Sequence, residues 1–264
     1  MLLMVKGAWN YKHFVYSSIK SEINGRFSRS RLGGAWLILH PLAQALVLAF
    51  VLSKLLGARL SGIESDYAYA VYLLSGLLGW NVFAETTGNT IAMFRDRANL
   101  LKKISFPRVC IPLIVFGTSL VNHLILLVIT LGIVWGLGIA PAESLLVIPL
   151  LILVNMGLAM GLGLVLSVFE VFVRDVGHFW QIIIQFWFWL TPIVYVADTL
   201  PQPVQTVLSY NPMYWVTNGY QQAIAYGSFP DLQPFAVVAA SAAVLLGLGF
   251  FLFMRASSDI VDAL

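Results

Sequence analysis

The residues of this chain that could do chemistry are few and scattered. Among its twelve acidic residues, Glu170 and Asp175 form a local acidic pair that could serve catalysis, and Arg174 lies beside them. An enzyme acting on sugars at a membrane surface would need paired carboxylates or a metal site. Because Arg174 is expected to form an ion pair with these carboxylates, the pair does not predict catalysis. We therefore do not expect a membrane enzyme.

The sequence also lacks the motifs of nucleotide-binding and hydrolytic enzymes. It has no GxxxxGK[ST] loop for ATP phosphates, no HExxH pair, no GxSxG turn and no Cys/His cluster for a metal. The one cysteine, Cys110, has no second thiol for a disulfide or a zinc site. Only one acidic residue, Glu85, falls inside a predicted span, whereas a proton-coupled carrier would bury several. We expect no catalytic residue, metal or cofactor here, and energy for any transport from another subunit.

The elements that must position any site are apolar helices. The 264 residues are 59% hydrophobic and 10% charged, whereas a soluble domain is about 45–50% apolar and about 25% charged. A bilayer core of about 30 Å needs about 20 apolar residues in each spanning helix. The chain is therefore predicted to be an all-α integral membrane protein with one domain, 1–264. Six spans are predicted, at 36–57, 68–87, 109–137, 144–168, 178–197 and 234–254.

The distribution of Lys and Arg predicts the orientation in the membrane. Basic residues concentrate in segment 1–35 and in the loop 88–108, whereas 198–233 has none. Cytoplasmic loops are the ones enriched in Lys and Arg, so both termini are predicted to be cytoplasmic. The outward stretch 198–233 is broken by four prolines and is predicted to form re-entrant or interfacial helices, not spans. The net charge of +3 reflects this topology, and nucleic acid is not an expected partner.

The leading segment is predicted to be an amphipathic helix over Tyr11–Phe27. Its apolar residues recur at helical spacing, and its polar residues lie opposite. Such a helix is expected to lie in the cytoplasmic interface, in contact with membrane lipid. Two interpretations stay open, a positive-inside anchor or a docking site for an anionic pyrophosphate-lipid headgroup. The cations concerned are Arg26, Arg29 and Arg31.

The loop 88–108 is predicted to contain a short amphipathic helix between the second and third spans. Phe94, Ala98 and Leu101 recur at helical spacing, and Arg95 and Lys102 occupy another side. Such a helix is either a solvated connector or an element that inserts into a groove of a soluble partner. The pattern alone leaves both interpretations open.

Aromatic and amide side chains share sectors of two predicted spans, although rings also form belts at membrane interfaces. Amides in lipid require a partner or water, and rings beside amides suit sugars, so these sectors are candidates for lining a pore. A lone His123 in the third span is expected to make a hydrogen bond between helices. The candidate lining residues are Tyr69, Tyr72, Trp80 and Phe83 in the second span and Gln181, Gln185, Phe188 and Tyr195 in the fifth.

Five segments in order along the chain resemble a known family of transporters. The resemblance is to type-2 ABC exporter permeases, in particular those that export O-antigen, capsular polysaccharide or teichoic acid. It covers nearly the whole chain, and the segments are specific together. They are Arg26-Phe-Ser-Arg-Ser-Arg-Leu-Gly-Gly-Ala-Trp36 with His40-Pro41-Leu42, Leu100-Leu-Lys-Lys-Ile-Ser-Phe-Pro-Arg108, Arg174-Asp175, Gln185-Phe-Trp-Phe-Trp-Leu-Thr-Pro-Ile-Val-Tyr195 and Tyr210-Asn-Pro212.

The resemblance implies an assembly and a location. Such permeases are homodimers in the bacterial inner membrane, bound to two ATP-binding cassette subunits that hold the ATP and magnesium. Their fold, called ABC-2 or type V exporter-like, places a coupling helix around 91–104, which assigns Phe94, Arg95, Ala98, Leu101 and Lys102 to contact with the ATPase. It also places re-entrant periplasmic helices at 198–233.

The resemblance also implies a substrate, most closely an O-antigen polysaccharide on an undecaprenyl-pyrophosphate type of lipid. By position, Arg26, Arg29 and Arg31 would receive the pyrophosphate, and the aromatic sectors would let the polymer slide through a channel at the dimer interface. A capsular polysaccharide or teichoic-acid exporter is the alternative. A small-lipid or drug exporter is less favoured.

Overall fold

The computed structural model describes residues 11–28, 67–103, 106–138 and 143–263, together with a few isolated positions between 35 and 47. Nearly all of the predicted first span, 36–57, lies outside the described residues. Within the described residues the secondary structure is helical, which confirms the predicted all-α class. The helices are α1 Lys12–Ser28, α2 Ala68–Asp96, α3 Ala98–Lys103, α4 Cys110–Gly136, α5 Ile148–Phe172, α6 Val176–Trp189, α7 Gln202–Leu208, α8 Pro212–Gln221 and α9 Leu232–Ala263.

Three stretches of the described chain are both long enough and apolar enough to cross a membrane. They are Cys110–Gly136, Glu143–Phe172 and Leu232–Ala256, which match the third, fourth and sixth predicted spans. The second stretch joins a 3-10 turn, Glu143–Val147, to α5. The chain is therefore a multi-pass membrane protein, and the total of six spans stays a prediction.

Helix α6 is shorter than the predicted fifth span. It ends at Trp189 instead of continuing to residue 197, and its 14 residues rise about 21 Å. Pro192 explains the early end, because proline lacks an N–H and disfavours helical backbone in the residue before it. The chain continues as turns from Leu190 to Val196. The prediction of one helical span over 178–197 is therefore wrong, because the helix ends at Trp189.

Helices α5 and α9 pack closely because small residues lie between them. A Cβ on Gly161 would come within 2.6 Å of the backbone nitrogen of Leu246, and a Cβ on Gly249 within 2.9 Å of the Gly161 carbonyl oxygen. Such close approach is typical of membrane helices, where packing replaces the hydrophobic effect as the force between helices. These glycines hold α9 against the rest of the bundle.

Helix α2 lies at the centre of the described bundle and contacts α4, α5, α6 and α8. The Asn155 amide donates a hydrogen bond of 2.8 Å to the Gly79 carbonyl of α2. The phenol of Tyr220, on α8, lies 3.1 Å from His123 Nε2 on α4. The prediction that His123 makes a hydrogen bond between helices is confirmed.

The predicted outward stretch, 198–233, forms short helices separated by turns. Asn211 caps α8 by accepting a 3.0 Å hydrogen bond from the Met213 N–H, as expected of a residue that precedes a helix. The Trp187 indole N–H, on α6, donates to the same Asn211 side chain at 2.9 Å. The segment therefore packs back onto α6, and its re-entrant placement in the membrane stays a prediction.

The bounds of helix α1 match those of the predicted amphipathic helix within one residue at each end, although its apolar and polar residues are not cleanly separated into two sides. Its apolar side packs on α4, where the Ile19 side chain approaches Gly117 so closely that a Cβ there would lie 2.3 Å away. The ring of Phe14 lies 5.2 Å from that of Phe106, just before α4. Part of the apolar side thus contacts protein, and the position of α1 at the membrane surface stays a prediction.

Candidate functional site

The first candidate site is the corner where α2 ends and α3 begins, since this corner carries the residues assigned to contact with an ATPase. Phe94 is only 1% exposed, and its ring stacks on that of Phe253 with centroids 5.5 Å apart. Leu101 is partly buried against the same cluster. Helix α9 makes this contact through Phe253, and it continues to Ala263, beyond the predicted end at 254. In this structure Phe94 faces the interior of the chain and is not exposed for contact with another subunit.

The other side of the corner is open. Arg95 and Lys102 are exposed and Ala98 is half-buried. Helix α3 has six residues and is joined to α2 through Arg97 alone. A surface for an ATPase would therefore consist of the solvent-exposed side of α3, which we call its outer side. The coupling role of its residues stays a prediction.

A polar cleft of about 670 Å³ lies beside the corner, between α1, α2 and α4. Arg97 forms an ion pair with Glu22 of α1, and the Thr118 hydroxyl on α4 donates to the second oxygen of Glu22 at 3.1 Å. These contacts fasten the amphipathic helix to the corner. The cleft is lined by Ser21, Glu22, Gly25, Asn89, Asp96, Arg97, Val115 and Thr118.

Glu170 connects the corner to α6. Its carboxylate is 2% exposed and pairs with Arg95, and its second oxygen accepts a 2.6 Å hydrogen bond from the Gly177 N–H in the first turn of α6. Arg174 is exposed. The expectation that Arg174 neutralises Glu170 is wrong, because Arg95 does so from 75 residues away in the sequence.

The second candidate site is the aromatic sector predicted to line a pore. Within the chain, the α2 rings pack on α6: Trp80 lies 5.6 Å from Phe188, and Phe83 lies 5.4 Å from Trp187. Tyr69 and the other three α2 rings are buried. These rings join α2 to neighbouring elements of the described chain.

The two tyrosines hold the turns that follow α6. The Tyr69 hydroxyl donates to the Val194 carbonyl at 2.6 Å, and the Tyr72 hydroxyl donates to the Tyr195 carbonyl at 3.1 Å. The Gln221 amide donates to the Pro192 carbonyl at 3.1 Å. Non-helical backbone at membrane depth needs such partners, because lipid offers none. Sequence reasoning missed this role, since helical spacing does not show which backbone a side chain reaches.

We expect Tyr69→Phe to loosen these turns. The change removes only the hydroxyl, and the buried Val194 carbonyl then lacks its donor, which costs about 1–3 kcal/mol. Limited proteolysis after residue 190 and the thermal unfolding midpoint would measure the loss. The matched control is Tyr210→Phe, because Tyr210 is strongly exposed. Equal stability of the two variants would contradict the assigned contact.

The amide residues of the predicted lining lie on the open side of α6. Gln181 and Gln185 are exposed, and Trp180 is the one buried residue of this helix. Tyr195 is partly buried, and its hydroxyl donates to the Trp189 carbonyl at 3.2 Å. The open side thus combines amides with exposed rings, and its role in lining a pore stays a prediction. The exposed rings are Phe179, Phe186 and Trp189.

The predicted headgroup site is only partly covered by the structure. Arg26 lies in the last turns of α1, and its side chain is outside the described residues. Arg29 and Arg31 are also outside them. The proposed contact of these three cations with a pyrophosphate stays a prediction.

The described residues place no set of three or more His, Cys, Asp or Glu side chains where they could hold a metal ion. Cys110 is a free thiol buried at the start of α4. In segment 198–233, burial raises the pKa of the Tyr214 phenol, and the carboxylate of Asp198 raises it further. Tyr214 is therefore a neutral hydrogen-bonding group at physiological pH.

Comparison with known proteins places these features in a family context. The family model described as ABC-2 type transporter matches residues 14–225, from α1 to the turn after α8. The chain is 24% identical, over the full length of both proteins, to the O-antigen export system permease protein RfbA of Myxococcus xanthus. It is 27% identical to RfbA of Klebsiella pneumoniae over 73% of this chain and 72% of that protein. It is 23% identical to the polysialic acid transport protein KpsM of Escherichia coli over 88% of this chain and 89% of that protein.

Proposed function

We propose a function from one premise, that this chain belongs to the ABC-2 type transporter family. The chain is the permease subunit of an ATP-driven ABC transporter that exports a polysaccharide. The observation that carries this function is the full-length similarity to a permease named for O-antigen export. The long apolar helices agree with it, and the sequence has no phosphate-binding loop with which the chain could hydrolyse ATP.

The finer proposal concerns the assembly and its cargo. Two copies of the chain and two ATP-binding subunits, which hold ATP and magnesium, form the transporter in the bacterial inner membrane with both termini of the chain in the cytoplasm. The cargo is an O-antigen on a lipid of the undecaprenyl-pyrophosphate type. The Lys and Arg distribution supports the orientation, and the names of the relatives support the cargo.

A capsular polysaccharide is the second candidate cargo. The observation that favours it is the similarity to KpsM, a polysialic acid transport protein, over 88% of this chain. Polymers of either kind slide best over many weak contacts. The open side of α6, where Gln181 and Gln185 lie among exposed rings, offers such contacts.

Deletion of the gene in its own bacterium tests the function. We expect the surface polysaccharide to disappear and unexported polymer on its lipid carrier to accumulate at the inner membrane. The chemical identity of the accumulated polymer distinguishes O-antigen from capsule. A plasmid copy of the wild-type gene should restore the surface polysaccharide. Unchanged surface polysaccharide in the deletion strain would contradict the proposal.

The outer side of α3 is the proposed contact with the ATP-binding subunit, and Lys102→Glu tests it. Lys102 is exposed, so reversal of its charge leaves the core intact. We expect about ten-fold weaker association, which corresponds to about 1.4 kcal/mol, measured as ATP-binding subunit recovered with the purified chain. The matched control is Lys20→Glu on α1, also exposed. Equal recovery for both variants would exclude this surface.

A further inference from the structure

The carboxylate of Glu170 meets the ends of three helices. It lies in the last turn of α5, it pairs with Arg95 in the last turn of α2, and it accepts the Gly177 N–H in the first turn of α6. A carboxylate that is 2% exposed is costly to hold unless it is paired and hydrogen-bonded. Both of its oxygens are used here, one by a guanidinium and one by a backbone amide. The three helix ends are thus tied at one point.

The start of α6 depends on this tie. The first N–H groups of a helix have no partner within the helix, and the positive end of the helix dipole favours an anion there. The side chain of Asp175, at the N-cap of α6, makes no capping hydrogen bond. Gly177 lies so close that an added Cβ would be 3.1 Å from Glu170 Oε1. Glu170 therefore takes over the role of a cap from a neighbouring helix.

The same carboxylate reaches the corner proposed to contact the ATP-binding subunit. Arg95 is separated from α3 by Asp96 and Arg97 only. The Arg95 side chain is 52% exposed and also lies 3.5 Å from the Asp96 carboxylate. A shift of α3 thus displaces the guanidinium that holds Glu170. Farther along α6 from Gly177, this helix contacts α2 through aromatic rings, such as the ring pair of Phe83 and Trp187.

We propose that Glu170 is a positioning residue that transmits movement of the α2–α3 corner to α6. Since α6 carries Gln181 and Gln185 on its open side, the shift of its first turn reorients the contacts offered to the polymer. The proposal rests on the proposed function, because it takes the corner as the contact with the ATPase and α6 as part of the path. It assigns to a buried acidic residue a role in coupling, not in catalysis.

Glu170→Gln tests the proposal in the complete transporter, reconstituted with its ATP-binding subunit. The glutamine amide oxygen still accepts from Gly177, whereas the charge that holds Arg95 is lost. We expect ATP hydrolysis to stay within about two-fold of wild type and polysaccharide exported per ATP to fall at least five-fold. The control is Arg174→Gln, which removes an exposed cation next to α6 and is expected to export as wild type.

Gly177→Ala provides an independent test with little risk to folding. Alanine favours helix over glycine, yet its Cβ forces the Glu170 carboxylate to move. We expect a fall of about three-fold in polymer exported per ATP, with unchanged recovery of the ATP-binding subunit. A purely structural role would lower protein yield, ATP hydrolysis and export in proportion, and that result would overturn the proposal.

Normal export per ATP in both variants would also overturn it. If the wild-type transporter exports no polysaccharide, the proposed function itself fails, and that outcome is separate from a failure of the coupling role. The first measurement is therefore the amount of polymer that the wild-type complex exports from vesicles. These vesicles contain the lipid-linked polymer of the same bacterium.

Discussion

Phe94→Asp is expected to prevent the chain from accumulating as a folded protein. The Phe94 ring is buried and stacks on Phe253, with an angle of 10° between the ring planes. Truncation of a buried phenylalanine costs about 3–5 kcal/mol, and a buried carboxylate adds the cost of its desolvation. A typical domain has only about 5–15 kcal/mol of stability. The yield of monodisperse protein in mild detergent and the thermal midpoint would measure the loss.

The control for this variant is the same substitution at an exposed ring. Phe172, at the end of α5, is 54% exposed, so Phe172→Asp should retain most of the wild-type yield. Phe94→Ala gives a graded version that avoids the buried charge. If Phe94→Asp is as stable as wild type but loses the ATP-binding subunit, Phe94 is a surface contact, and its interior position in the chain is incorrect.

The sequence predicted well those features that depend on local pattern. The bounds of helix α1 match those of the predicted segment within one residue at each end. The long apolar runs form α4, α5 and α9, because an α-helix satisfies all of its own backbone hydrogen-bonding groups within lipid. His123 makes its hydrogen bond between helices, as a polar side chain in an apolar helix must find a partner.

The orientation of faces toward particular neighbours was less predictable. Helical spacing predicts Phe94 and Leu101 on one side of a single helix, whereas the structure places them on α2 and α3. Spacing also does not show that both pack in one cluster with Phe253 of α9. The α2 rings likewise share a sector, which is covered by α6 at Trp80 and Phe83 and by the following turns at Tyr69 and Tyr72. Spacing alone could not distinguish a ring that packs inside the chain from one that lines a pore.

The candidate coupling site could not be assembled from the sequence, because its partners are distant in the chain. Glu170 and Arg95 are 75 residues apart, as are Glu22 and Arg97. The sequence favours the local alternative, an ion pair of Glu170 with Arg174, because neighbouring residues are the only ones that a sequence shows together. Tertiary packing of α2 against α5 decides the pairing instead.

Gly161→Ala and Gly249→Ala are expected to separate α5 from α9. The new Cβ at Gly161 would lie 2.6 Å from a backbone nitrogen, and that at Gly249 would lie 2.7 Å from Leu164 Cβ. Neither neighbour is a flexible side-chain end, so the helices must shift apart. We expect each change to cost about 1–3 kcal/mol, although alanine alone favours helix over glycine by about 1 kcal/mol. Thermal unfolding of the purified chain would measure both variants.

Gly247→Ala is the matched control, since Gly247 lies on the same helix two residues before Gly249 and nothing lies within 4 Å of its added Cβ. Here only the gain in helix propensity acts, so the variant should be as stable as wild type or up to about 1 kcal/mol more stable. The sign of the effect therefore separates helix propensity from packing. If Gly249→Ala stabilises the chain as much as Gly247→Ala does, α5 and α9 do not touch at Gly161 and Gly249, and the close packing of these helices is incorrect.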